Sequence, residues 1–232
     1  MAFPMNAIRP DPVPVTVTRE TCARCLRPQS ACICQWVRPT AHDVEVVILQ
    51  HPLEVNEAKG SGYLLHLGLP KSRLLAGEVF DADTLFAADP SGAQPRRNLL
   101  LYPETPLAAC EAPRDILTPE DLQNLAGLRL IVLDATWRKS RKMLRLNPWL
   151  EKLPRLALAP ENLPGSRYLI RKAHKSGQLS TYEATCAALM QLRGDATLKD
   201  IEARFQPLME AFDGFVAQQD ALRLDAIARR GR

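Results

Sequence analysis

The residues best placed to do chemistry are Asp134, Thr136 and Trp137, which follow directly on the apolar run at 130–133. That run is rich in branched side chains, too short for a free-standing helix and bounded by polar residues, as a strand buried on both faces would be. In open α/β sheets ligands bind beyond the carboxyl ends of the strands. A carboxylate and an indole at such an end supply a proton acceptor or counter-charge and a flat stacking surface. Arg138, Arg141, Lys142 and Arg145 come next, at spacings that put four cations on one side of a helix before Pro148 stops it. Each part also has a plainer reading. An Asp after a strand can be only a helix cap, Trp137 can be core, and a basic stripe can be a solvated face.

Cys22, Cys25, Cys32 and Cys34 form a second constellation, a CxxC and a CxC pair within thirteen residues. Four thiolates at this spacing can reach one tetrahedral zinc ion. The alternatives are four small buried side chains or a redox-active pair. A segment this short has no core of its own, which favours the metal, and four protein ligands leave no vacancy for a catalytic water. The expected role is therefore structural.

His51 and Glu54 lie just past a strand expected at 44–50, with Gly60 and Gly62 nearby as small residues that let backbone approach a ligand. Ser180, Thr181 and Glu183 open a helix as a capping box, in which the serine hydroxyl and glutamate carboxylate satisfy each other's free N–H groups. That helix start is also a possible anion site. The loop at 160–177 carries Arg167, Arg171, Lys172 and Lys175 on little apolar material. It reads as a ligand-facing segment.

The elements that must position these groups alternate. Strands are expected at 44–50, 98–102, 130–133 and 155–159. Helices are expected through 63–69, over 118–127 with Thr118 as cap, after Trp137, over 180–193, and from 198 to 227 with interruptions at Pro207 and Gly214. This order implies an α/β fold, a mostly parallel sheet with helices on both faces. Residues 1–18, with four prolines, read as a poorly ordered arm, 19–40 as the metal module and 41–232 as the main domain. At 232 residues and 46% hydrophobic the chain can bury a full core. The net charge is only +4, yet residues 138–175 hold eleven Lys or Arg against two acids, a field suited to a polyanion such as RNA. There is no signal-peptide pattern and no membrane-length apolar run, so the expected compartment is the cytoplasm, where thiols stay reduced.

Three motifs together resemble a known family: Asp134-Ala135-Thr136-Trp137 as DxTW, Ser180-Thr181-Tyr182-Glu183-Ala184 as STxEA, and His51-Pro52-Leu53-Glu54 as HPxE. The chain resembles the DTW-domain family over residues 20–195, specifically the bacterial tRNA-uridine aminocarboxypropyltransferases, whose N-terminal cysteine cluster it shares. The resemblance implies a SPOUT-like, knotted α/β fold and S-adenosylmethionine as co-substrate. The reaction it implies is transfer of the 3-amino-3-carboxypropyl group to N3 of a tRNA uridine, with methylthioadenosine released. It places Asp134, Thr136 and Trp137 in catalysis and Trp137, His51, Glu54, Ser180, Thr181 and Glu183 at the co-substrate. The two basic groups, Arg138 to Arg145 and Arg167 to Lys175, would then meet tRNA phosphates. One departure is Lys59-Gly60-Ser61-Gly62, where the family pattern has an Asn-Thr pair. Two rival functions remain: an S-adenosylmethionine-dependent RNA methyltransferase on a SPOUT-like scaffold, and a zinc-stabilised RNA-binding module without catalysis, for which the cysteines and the basic patch suffice but which leaves Asp134 and Trp137 unexplained.

Overall fold

The computed structural model describes residues 20–55, 57–86, 95–104, 115–158, 179–193 and 197–230. Five strands form one sheet: β1 Glu45–Gln50, β2 Ser72–Ala76, β3 Arg97–Leu101, β4 Leu128–Asp134 and β5 Arg155–Leu156. They lie in the order β2-β1-β4-β3-β5, and each neighbouring pair is parallel. The central strand β4 is buried at all seven positions, as a strand covered on both faces must be.

Alternate side chains of the strands feed two apolar layers. Val46, Ile48, Leu130 and Val132 pack with α1 (Gly62–Gly68), α6 (Thr181–Gln191) and α7 (Leu198–Arg230). Val47, Leu49, Ile131 and Leu133 pack instead with α2 (Ala82–Phe86), α4 (Trp137–Leu146) and α5 (Pro148–Lys152). A short helix α3 (Pro119–Gln123), capped by Thr118 as expected, leads into β4.

One strand lies outside the expected set, and one expectation needs correcting. Strand β2 was not legible: it is a half-exposed edge strand with no clean alternation. Helix α7 runs unbroken through Pro207 and Gly214, because Ile201, Phe205, Leu208, Phe212 and Phe215 make one buried stripe that outweighs both weak helix formers. Gly214 is where the Trp36 ring sits; a Cβ there would lie 2.1 Å from the indole. The arm at 1–18 lies outside the described residues. So does most of the β5–α6 connection, on which the expected knot depends.

The direction of the connections fixes the crevice. From β1 the chain leaves toward β2, at one edge, whereas from β4 it leaves toward β5, at the other. The switch point therefore lies between the carboxyl ends of β1 and β4. Gln50 and Asp134, the last residues of those strands, are register partners there.

Candidate active site

At this switch point opens a cavity of about 820 Å³, within the usual range for small-molecule sites. Its walls come from the ends of β3, β4 and β5, the turn after β1, and the first turns of α4 and α6. Four carboxylates (Glu54, Glu57, Glu104, Asp134) and two ammonium groups (Lys59, Lys139) line it, so its interior favours a cation.

Asp134 is buried, 7% exposed, and on the same side of the sheet as α1 and α6. Gln50 Nε2 donates to its Oδ2 at 2.8 Å, and the Thr181 side chain forms a second hydrogen bond. Burial pushes the Asp134 carboxyl above the usual carboxylate range and repulsion from Glu54 adds to the rise, while the Gln50 and Thr181 hydrogen bonds oppose it. Gly62 explains how α1 comes so close: a Cβ there would fall 2.2 Å from Asp134 Oδ2. Its small size thus makes room for the carboxylate itself, a different use from the approach to a ligand that the sequence suggests.

Thr136 caps α4 without using its side chain in the cap, and its exposed side chain is on the cavity wall. Trp137 is 47% exposed and meets Tyr102 edge to face, with ring centroids 5.8 Å apart. It is therefore not a core residue. Glu54, Ser180 and Thr181 also line the cavity.

His51 and Glu183 do not. The His51 ring is committed elsewhere: Nδ1 accepts from the Leu53 N–H at 3.1 Å and Nε2 lies 2.7 Å from Glu78 Oε1. Glu183 is buried and closes the capping box with Ser180, accepting from its N–H at 2.9 Å. Arg138, Arg141, Lys142 and Arg145 are all exposed along α4, outside the cavity. Lys142 pairs with Glu78 at 2.6 Å. Arg167, Arg171, Lys172 and Lys175 lie outside the described residues. Sequence reasoning missed Gln50, Lys139 and Tyr102; a polar residue ending an apolar strand was the available signal for Gln50.

The four cysteines converge as their spacing suggests, with all four sulfur atoms within 4.8 Å of one another. Cys22 and Cys34 sulfurs are 3.7 Å apart, as are those of Cys25 and Cys32. A tetrahedral ion with Zn–S bonds of ~2.3 Å requires sulfur–sulfur edges of ~3.8 Å, so the residues fit zinc. Backbone hydrogen bonds from Cys25 and Arg24 lower the Cys22 thiol to about 6, whereas burial pushes the Cys34 thiol up to about 12, so without a cation the cluster holds thiol and thiolate side by side. Leu26 completes the knuckle with a left-handed backbone (φ 57). The knuckle is fastened to α7, where Gln218 Nε2 donates to the Cys32 carbonyl at 3.1 Å. It also reaches the cavity rim: Arg27 donates to the carbonyls of Ala58 and Gly60, each at 2.6 Å.

A sheet-end cavity with an acid and an indole beside a four-cysteine knuckle defines a class. Residues 19–220 match the DTW domain family model, and the chain belongs to that family. Among curated relatives, it is 30% identical over 182 residues to tRNA-uridine aminocarboxypropyltransferase 2 of Drosophila melanogaster, covering 75% of this chain and 68% of the relative. The mouse (Mus musculus) protein of the same name is 27% identical over 218 residues, covering 90% and 68% respectively. With tRNA-uridine aminocarboxypropyltransferase A of Arabidopsis thaliana the chain shares 29% over 143 residues, covering 55% and 51%. No solved structure gives a significant match. No helix among the described residues is long and apolar enough to cross a membrane.

Proposed function

We propose that the chain is a tRNA-uridine aminocarboxypropyltransferase. Its co-substrate is S-adenosylmethionine, its acceptor N3 of a tRNA uridine, and its co-product methylthioadenosine. The observation that carries this reading is the buried Asp134 beside the exposed Trp137 in an acid-rich cavity at the β1/β4 switch point.

Uridine N3 keeps its proton at neutral pH, so a base must take it as the nitrogen attacks. The N3–Cγ bond forms, the Cγ–sulfur bond breaks, the sulfur leaves as a neutral thioether, and the N3 proton passes to Asp134. A carboxylate of ordinary pKa is a weak base for this step; the upward shift brings Asp134 closer to the task. The surplus of cavity carboxylates suits a sulfonium cation, and the Trp137 face attracts the same charge. Trp137 also offers a surface for adenine or the flipped uracil, worth ~1–3 kcal/mol per stacked base. Ser180, Thr181 and Glu54 take the donor, while His51 and Glu183 hold the turn and helix end that present them. Arg138, Arg141 and Arg145, with the loop carrying Arg167, Arg171, Lys172 and Lys175, take tRNA phosphates. The cysteine cluster holds a structural zinc, the module spans 19–40 and the catalytic domain 41–232, with a SPOUT-like fold.

Incubation of the protein with S-adenosylmethionine and unmodified tRNA, followed by mass analysis of nucleosides and co-product, tests the proposal. Aminocarboxypropyl-uridine with methylthioadenosine is expected. A methylated nucleoside with S-adenosylhomocysteine would make it a methyltransferase, and no product would leave an RNA-binding module.

A further inference from the structure

An ion pair on the cavity wall is not explained by the fold. Lys139 Nζ lies 2.7 Å from Glu54 Oε1, with the two side chains 27% and 15% exposed. They come from different elements, the turn after β1 and the first turn of α4. Lys139 is a poor choice for helix stability: that turn carries Arg138 and Lys139 and no acid, although a helix N-terminus favours anions and opposes cations. As a surface bridge the pair would contribute little, since holding two long side chains together offsets most of the gain. Of the two cavity-lining cations, Lys139 is half-buried and Lys59 exposed. An acid and a base held side by side in a cavity match a ligand bearing both charges on one carbon.

Resting on the donor reading above, we propose that Glu54 and Lys139 clamp the amino-acid end of S-adenosylmethionine, Glu54 taking the α-ammonium and Lys139 the α-carboxylate. The two ions trade each other for the zwitterion, so neither is left unpaired in the half-buried wall. The clamped end is the one that is transferred, and it is joined through two carbons to the sulfur. Fixing it beside Asp134 aims Cγ at the acceptor nitrogen. The clamp also sets specificity: a donor without the α-carboxylate loses Lys139, and a nucleoside without the amino-acid end loses both contacts.

Calorimetry with S-adenosylmethionine, S-adenosylhomocysteine and methylthioadenosine tests this, because only the first two carry the amino-acid end. Lys139→Met should weaken those two by about tenfold or more, the loss of a charge-assisted contact, and leave methylthioadenosine within about twofold of wild type, the ordinary scatter of a surface change. Glu54→Gln should do the same, and Lys139→Arg, which keeps the cation, should restore binding. Unchanged affinity for the first two, or equal loss for all three, would overturn the clamp. If the wild-type protein bound none of the three, the donor reading would fall and the clamp with it; a clamp failure alone leaves wild-type binding and product intact.

Discussion

The cysteine knuckle and the strand-end cavity are built in opposite ways. The knuckle takes all four ligands from thirteen consecutive residues and shapes them with short turns at Gln29–Ala31 and Cys34–Trp36. The cavity takes Asp134 from β4 and Gln50 from β1, 84 positions apart, adds Thr181 from α6, and makes room with Gly62 from α1. A local site fails when a ligand is lost, whereas an assembled one fails when a neighbour shifts. Arg27 joins the two by holding the rim carbonyls of Ala58 and Gly60, so a change in the knuckle is felt at the cavity.

The largest effect is expected at the knuckle. Structural zinc contributes an apparent ~10–16 kcal/mol in isolated small modules, so Cys25→Ser should strip most of the bound metal and loosen Trp36 from Gly214, read by metal analysis and tryptophan fluorescence. Full metal content with unchanged fluorescence would remove Cys25 from the ligand set, and a wild-type protein that carries no metal would mean the cysteines are only packing. Next comes Asp134→Asn, which removes the proposed base and should slow methylthioadenosine release by ~10²–10⁴-fold while tRNA binding persists. A wild-type rate would remove Asp134 from the chemistry. Gly62→Ala forces a methyl onto the carboxylate and should cost ~1–3 kcal/mol, as overpacking does, lowering turnover with little change in tRNA affinity. If turnover is untouched, the close approach of α1 is incidental. The smallest effect is on pH. Asp134 has a raised folded pKa, so its ionised, competent form is lost as pH falls through that value, and the same ionisation costs folding stability as pH rises through it. Gln50→Leu and Thr181→Val each remove a bond favouring the ionised form. Both should move the acidic limb of the rate profile to higher pH and keep the plateau; a limb that stays put or moves down would contradict the role of those bonds.

What the sequence made legible follows the same division. The knuckle could be read whole, because its ligands are neighbours in the chain. Strands β1 and β4 were visible as apolar runs, so Asp134 could be placed at a strand end, where burial raises its pKa. The partner across the sheet could not be read: only the register between β1 and β4 puts Gln50 against Asp134. Strand β2 escaped because half-buried edge strands lose the unbroken apolar run of central ones. Pro207 and Gly214 suggested breaks because their local preference is visible in sequence, whereas the burial of Phe205, Phe212 and Phe215 that overrides it is not. His51 looked like a ligand group beside a strand end, and tertiary contacts with Leu53 and Glu78 occupy both ring nitrogens.

A crystal structure with methylthioadenosine bound tests the central claim most directly. The nucleoside should lie in the cavity at the β1/β4 switch point, its sulfur facing Asp134 and an aromatic face in contact with Trp137. A nucleoside seated elsewhere, with Asp134 and Trp137 untouched by it, would contradict the account.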